Sequence, residues 1–311
     1  MKKTVLITGG FGFLGRAVAS RFRADGWRII GVGRGRWAPE EALAQGFDLW
    51  LNAGVTLPAL MTLGEDIHVV IHCAGNGSVG YSLTNPLQDF NKTVQSTAEL
   101  LEFLRLTASP AFVIYPSSAG VYGAKSDAPI REDAELKPIS PYGRHKKMAE
   151  ELLLSYALSY GIRVSIIRFF SIYGAGLTKQ LLWDACAKLT DARAEPAVFW
   201  GTGDETRDWI SSQDAANLVW AVAQASDPVR CMNGGSGTRT TVRDTIALLA
   251  GELGCSRSIA FNGQVRPGDP RYYHADISRA KSLGWTPSVP LADGIRDYVS
   301  WRRQYLGPDS D

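Results

Sequence analysis

Apolar and polar residues follow two different rhythms in the first half of the chain. Thr4–Thr8, Arg28–Val32, Ile67–Cys73, Ala111–Pro116 and Arg163–Phe169 are short, mostly apolar runs, the pattern of strands buried on both faces. Between them, Leu14–Asp25, Pro86–Leu106 and Tyr142–Tyr160 repeat apolar residues at helical spacing. Strands alternating with amphipathic helices predict an α/β fold built on a doubly wound parallel sheet. After Gly174 the rhythm changes, and glycine- and proline-rich turns at Gly201–Asp204, Asn233–Gly237 and Arg266–Pro270 separate the helical stretches. That change predicts a smaller C-terminal α/β substrate lobe made of residues 171–209 and 233–311. Residues 1–170, with 210–232 returning to them, would form the sheet domain, leaving a cleft at the carboxyl ends of the strands.

Composition narrows the picture only a little. With 311 residues the chain can bury one large core or two smaller ones, and 45% apolar with 21% charged residues is ordinary for a soluble protein. A net charge of +2 gives no reason to expect nucleic acid or an anionic membrane as partner. No stretch approaches the roughly 18 uncharged apolar residues of a membrane span. The apolar run after Lys3 breaks into Gly9-Gly10 too early for a signal peptide. Cys73, Cys186, Cys231 and Cys255 lack metal-ligand spacing and read as reduced thiols. A cytoplasmic protein without a metal site is expected.

The first strand passes into the first helix through Thr8-Gly9-Gly10-Phe11-Gly12-Phe13-Leu14-Gly15, with Gly9, Gly12 and Gly15 in GxxGxxG spacing. Such a turn brings backbone amides, those of Phe13 and Leu14 included, close to a pyrophosphate that the helix N-terminus attracts. The reading is a Rossmann-type dinucleotide site. NAD enzymes usually carry Asp or Glu at the end of the second strand, to bind the ribose hydroxyls. Here Gly31-Val32-Gly33-Arg34-Gly35-Arg36 offers no acid. A guanidinium pairs with a 2′-phosphate that a carboxylate would repel, so Arg34 favours NADP over NAD. The alternative makes Arg34 and Arg36 solvated loop charges and the cofactor NAD.

Tyr142 and Lys146 stand at i and i+4, on one helical face, downstream of Ser117-Ser118 at the end of a strand. This set suits hydride transfer at a carbinol or carbonyl. Tyr142 would exchange the proton, Lys146 would favour its phenolate and Ser118 would hydrogen-bond the reacting oxygen. Bringing a phenol from pKa ~10 toward ~7 takes roughly 4 kcal/mol of differential stabilisation, within reach of a close ammonium in a dry site.

Further motifs extend the pattern: Cys73–Ser82 followed by Asn85-Pro86, Ser118-Ala-Gly-Val-Tyr-Gly123, Arg168-Phe-Phe-Ser-Ile-Tyr-Gly174, Gly201–Ile210, and Arg266–Asp269 with Ala275-Asp276. With them the chain resembles the extended short-chain dehydrogenase/reductases, in the NAD(P)-dependent branch of nucleotide-sugar epimerases, dehydratases and reductases to which UDP-glucose 4-epimerase belongs. The resemblance covers nearly the whole chain. It implies Ser118, Tyr142 and Lys146 as catalytic residues, Ala74 and Gly75 beside the nicotinamide, and Ser78 and Ser171 toward the substrate. It makes Arg207 and Arg266 clamps on a diphosphate, and implies a homodimer through the Pro86–Leu106 and Tyr142–Tyr160 helices. Trp200 would stack on the nucleotide base or pack in a core; Lys179 and Gln180 are looser substrate candidates. His72 is expected to be a satisfied core residue, and His145 to face away from the site.

Departures from the family pattern narrow the reaction. Ala119-Gly120 follow Ser118 where dehydratases carry Asp-Glu, and Gly120 and Gly176 replace the Cys and His of 3,5-epimerase/reductases. Ser171 replaces the usual Asn, and so does Thr93. Redox at the sugar's 4-position remains, by an epimerase that recycles its nicotinamide or a ketoreductase that consumes NADPH. A regulatory protein that binds NADP(H) without turnover is the competing class, and the intact Ser118/Tyr142/Lys146 set speaks against it.

Overall fold

A computed structural model of the chain describes residues 2–35, 37–64, 66–191, 196–226, 230–264 and 268–307. Six strands follow one another in sequence: β1 (Thr4–Thr8), β2 (Arg28–Gly33), β3 (Leu49–Asn52), β4 (Val69–His72), β5 (Phe112–Ser118) and β6 (Val164–Phe169). With Cys231–Gly234 they form one parallel sheet in the order Cys231–Gly234, β6, β5, β4, β1, β2, β3. The chain runs outward from β1 to one edge, then starts again at β4 on β1's other side. The carboxyl ends part at that reversal, where open α/β sheets bind ligands.

Alternate residues of each strand enter two different cores. Val5, Ile7, Ile29 and Ile71 face the helices Phe13–Ala24 and Ser212–Gln224. Leu6, Ile30, Val32 and Val70 face Ser96–Leu106 and Pro141–Tyr160. Both faces are dry, which explains strands that read as continuous apolar runs. A third core, with Leu182, Cys186, Phe199, Ile246 and Tyr298, belongs to elements that follow Ser171. It is accompanied by three two-stranded sheets, among them Ala197–Phe199 beside Ile259–Phe261.

Most expected elements form within a residue or two of their predicted ends. One differs: the helix predicted over Pro86–Leu106 is three segments, Pro86–Phe90, a π-helical turn Asn91–Gln95, and Ser96–Leu106. The Ser96 and Thr97 hydroxyls donate back to the Lys92 and Thr93 carbonyls at 2.6 Å, competing with the backbone ladder just where it widens. A short helix, Val79–Thr84, precedes them and lies against the Pro141–Tyr160 helix.

Candidate active site

The glycine turn is closed by backbone contacts. Gly9 N–H donates to the Val32 carbonyl at 2.7 Å, and Gly12 N–H to the Gly9 carbonyl at 2.9 Å. A Cβ on Gly15 would stand 2.5 Å from the Gly9 oxygen, so only glycine lets the helix Phe13–Ala24 sit this close. That helix has no side-chain cap and no acid in its first turn, and its leading amides face the reversal point unclaimed by its own side chains. This cradle fits a dinucleotide pyrophosphate. Gly9, Gly12, Gly15, Phe13 and Leu14 are brought together there. Arg34 is exposed at the end of β2, with its guanidinium along Gly54; a Cβ at Gly54 would meet Nη2 at 3.1 Å. Arg36 lies outside the described residues.

One extended strand and one helix bring Ser118, Tyr142 and Lys146 together. Strand β5 runs two residues further than expected and carries Ser118 at its last position, facing the start of the Pro141–Tyr160 helix. There Gly143 is packed so closely that a Cβ would stand 2.4 Å from the Gly120 carbonyl oxygen. The helix is entered through Pro141 and capped by Ser140, whose hydroxyl accepts from Gly143 N–H at 3.2 Å. Ser118 accepts from Gly120 N–H at 3.1 Å, and its hydroxyl and the Tyr142 ring both lie against Gly120, where a Cβ would stand 3.4 Å from Ser118 Oγ and 3.3 Å from Tyr142 Cε1. Burial raises the Tyr142 pKa above its ordinary value; the nearby Ser118 hydroxyl works against that rise, and the charge of Asp89 adds to it. Lys146 is buried, donates to the Pro116 carbonyl at 3.0 Å and lies over the Tyr115 ring at 4.6 Å. Burial brings its pKa down to about 8, while Cys73, Glu150 and Asp89 oppose the fall. Gly75 belongs to the same constellation, since a Cβ there would lie 3.8 Å from Lys146 Nζ. Ala74 N–H donates to Thr8 Oγ1 at 3.2 Å, tying this loop to the glycine turn.

The substrate candidates are more scattered. Ser78 caps Val79–Thr84 by accepting from Tyr81 N–H at 3.2 Å. Ser171 begins a strand paired with Trp209–Ser211. Arg207 donates to the Thr206 and Pro270 carbonyls and faces Asp269 at 3.4 Å, so its charge already has a partner. Arg266 lies outside the described residues. Trp200 is 48% exposed, which removes the core alternative. Gln180 Nε2 donates to the Gly77 carbonyl at 2.8 Å, and Lys179 Nζ lies 3.4 Å from where a Gly77 Cβ would be. These two residues therefore reach across to the Cys73–Ser82 loop. His72 is fully buried between Thr8 Oγ1 at 2.7 Å and Thr97 Oγ1 at 3.1 Å, and burial lowers its pKa to about 3, a neutral core residue. His145 turns toward Pro86–Phe90, where it pairs with Asp89. Asp89 and Asn76 are the polar residues that sequence reasoning missed. Asp89 sits 56 positions from its histidine, beyond the reach of any local spacing.

The model of the NAD dependent epimerase/dehydratase family matches residues 5–233. UDP-glucose 4-epimerase of Azospirillum brasilense is 31% identical, the alignment covering 96% of this chain and 92% of that one. Among solved structures, UDP-glucose 4-epimerase of Thermotoga maritima with UDP-glucose superposes with a TM-score of 0.88 at 26% identity, covering 98% of this chain and 100% of that one. UDP-glucuronic acid 4-epimerase of Bacillus cereus, in complex with UDP-glucuronic acid and NAD, gives a TM-score of 0.87 at 25% identity, covering 97% and 99%. The family model spans well over half of the chain and the curated relative nearly all of it, and the chain belongs to the NAD dependent epimerase/dehydratase family.

Proposed function

We propose that this chain is a cytoplasmic nucleotide-sugar 4-epimerase that works through a transient 4-keto sugar, as a homodimer. The observation that carries the reading is the Ser118 hydroxyl and the Tyr142 ring both set against Gly120, with only Ala119 and Gly120 following the serine. That arrangement handles one proton at one sugar oxygen and supplies no second acid or base for eliminating water. The relatives named above are 4-epimerases, which supports the same reaction here. When bound, the nicotinamide cofactor would supply the hydride acceptor and donor. Tyr142 takes and returns the proton of the 4-hydroxyl, Ser118 orients that oxygen, and Lys146 holds the nicotinamide ribose while its charge favours the phenolate. Ser78, Ser171, Lys179 and Gln180 line the approach, and Arg207 with Arg266 would hold the diphosphate. The outward faces of the two helices carry Leu87, Leu154 and Leu158 exposed, which supports the dimer.

A second reading, an NADPH-dependent 4-ketoreductase, is favoured by Arg34. Gly33 stands where an acid would bind the ribose hydroxyls, and Gly54 leaves the Arg34 guanidinium room beside it. We propose NADP as the preferred cofactor on this ground. Incubating the protein with nucleotide sugars, with and without NADPH, separates the readings. Interconversion of 4-epimers without net cofactor change is the expected outcome. Stoichiometric NADPH oxidation against a 4-keto sugar would establish the reductase, and cofactor binding without turnover a regulatory protein. Arg34→Asp should shift binding from NADP toward NAD; an unchanged preference makes Arg34 a solvated charge.

A further inference from the structure

Strands β1 and β4 pair in parallel with Thr8 opposite His72, at the point where the sheet reverses. Both side chains are fully buried. Thr8 Oγ1 lies 2.7 Å from His72 Nδ1 and accepts from Ala74 N–H at 3.2 Å. On the other side of the ring, His72 Nε2 lies 3.1 Å from Thr97 Oγ1, whose hydroxyl donates to the Thr93 carbonyl at 2.6 Å. The imidazole also stacks on Tyr115, the ring over which Lys146 lies.

Counting protons leaves one arrangement. The Thr97 hydroxyl has a single hydrogen and a carbonyl can only accept, so that hydrogen belongs to the Thr93 bond. Thr97 Oγ1 can then only accept from the imidazole, which puts the ring proton on Nε2. Burial and the Lys146 charge lower the His72 pKa to about 3, so Nδ1 carries no second proton at neutral pH. Bare Nδ1 accepts from the Thr8 hydroxyl, and the Thr8 oxygen keeps its lone pairs for Ala74 N–H. The other tautomer would set lone pairs face to face at Thr97 inside a dry core. Hydrogen bonds thus run in one direction, from Ala74 through Thr8, His72 and Thr97 to a carbonyl of the π-helical turn.

That turn closes the circuit, since Thr93 Oγ1 accepts from Asn76 N–H at 3.5 Å. Gly75 stands between the two anchored amides at φ +141°, and a Cβ there would lie 3.4 Å from Thr93 Oγ1 and 3.8 Å from Lys146 Nζ. Thr8 and Thr93 therefore hold the backbone on either side of a glycine set against the catalytic ammonium. We propose that His72 is a positioning residue: held as its Nε2–H tautomer, it orients the Thr8 hydroxyl so that the Ala74–Gly75 backbone stays in place beside the nicotinamide. The proposal rests on the reading of that loop as the nicotinamide wall, and adds a residue that touches neither cofactor nor sugar. A histidine that merely filled the core would need the ring's volume, but neither its tautomer nor its direction.

Nitrogen-15 resonances of the wild-type imidazole should show a pyrrole-like Nε2 and a pyridine-like Nδ1, unchanged between about pH 5 and 8, where an ordinary histidine titrates. A proton on Nδ1 overturns the proposal. Two variants separate the halves of the ring. His72→Asn keeps an acceptor toward Thr8 and gives up the donor toward Thr97, whereas His72→Gln keeps the donor and gives up the acceptor. In cofactor-free protein, amide exchange at Ala74 should be about tenfold faster in His72→Gln than in His72→Asn. Calorimetric titration should find the nicotinamide cofactor bound about tenfold more weakly by His72→Gln, with His72→Asn close to wild type. Both variants lose ring volume, so both should melt earlier without reproducing that split. Equal exchange in the two variants overturns the proposal, and so does an exchange difference with no difference in cofactor affinity. Should neither variant fold, Thr8→Val replaces them: faster Ala74 exchange with weaker cofactor binding supports the chain of bonds, and wild-type values overturn it. Wild-type protein that binds no nicotinamide cofactor overturns the proposal whatever the exchange shows. None of these readouts uses a nucleotide sugar, so failure to turn one over sinks the 4-epimerase reading alone.

Discussion

Tyr142 and Lys146 do different work from similar positions, and their surroundings say why. The phenol is buried and needs help to ionise, whereas the ammonium is buried and loses its proton more readily than an ordinary lysine. Tyr142→Phe should lower turnover by about 10²–10⁴-fold with cofactor affinity nearly unchanged, because the ring's packing survives. A variant that kept more than about a tenth of the wild-type rate would remove Tyr142 from the mechanism. Lys146→Ala should weaken both rate and cofactor binding. Burial lowers the Lys146 pKa, so the ammonium is present below about 8 and lost above it. Cofactor affinity should therefore weaken as pH rises through about 8 in wild type and stay flat in Lys146→Ala, as calorimetric titration across that range would show. The placement of Ser118 at a strand end and of Tyr142 and Lys146 on one helix was legible because strand end and helix face are local patterns. Asp89 and Asn76 were not, since their partners are set by tertiary packing.

Among the elements, the catalytic helix is placed by a single missing side chain. Gly143 lets the Pro141–Tyr160 helix touch the Gly120 carbonyl, beside the Ser118 hydroxyl and the Tyr142 ring that both lie against Gly120. Gly143→Ala should force backbone apart, since the obstructing atom is a carbonyl oxygen rather than a flexible side chain. The expected cost is about 1–3 kcal/mol of stability, with a fall in kcat larger than any change in cofactor affinity. Thermal unfolding and steady-state kinetics on the same preparation would check both, and an unchanged kcat would contradict the account. The helix itself was plain in the sequence, as were β1, β2 and β6. The π-helical turn Asn91–Gln95 was hidden, because hydroxyls that bond back to carbonyls leave helical periodicity intact while changing the register.

For the whole molecule, a doubly wound parallel sheet followed from alternating strands and helices, whereas its edge strands Leu49–Asn52 and Cys231–Gly234 and the order of the strands did not. The small sheets after Ser171 could not be read in detail, since two- and three-residue strands carry too few positions to show a period. Assembly belongs to this scale too. Leu158 is 77% exposed and Leu87 71%, so sedimentation should show a dimer, and Leu158→Glu should shift it toward monomer. A wild-type monomer at micromolar concentration would contradict the dimer. The path of the chain has a mechanical consequence of its own. After β6 it leaves the sheet for the Ser171–Ser211 elements, comes back as Ser212–Gln224 and Cys231–Gly234, and departs again. Asn233, in the returning strand, also grips the Ile130 carbonyl at 2.8 Å and the Asp276 carbonyl at 3.0 Å. Several crossings of the chain, rather than one hinge, thus tether two sides, the seven-stranded sheet and the elements that follow Ser171. Heat or denaturant should therefore melt both sides together in one transition, and ligand capture should work by small local adjustments rather than by a swinging jaw.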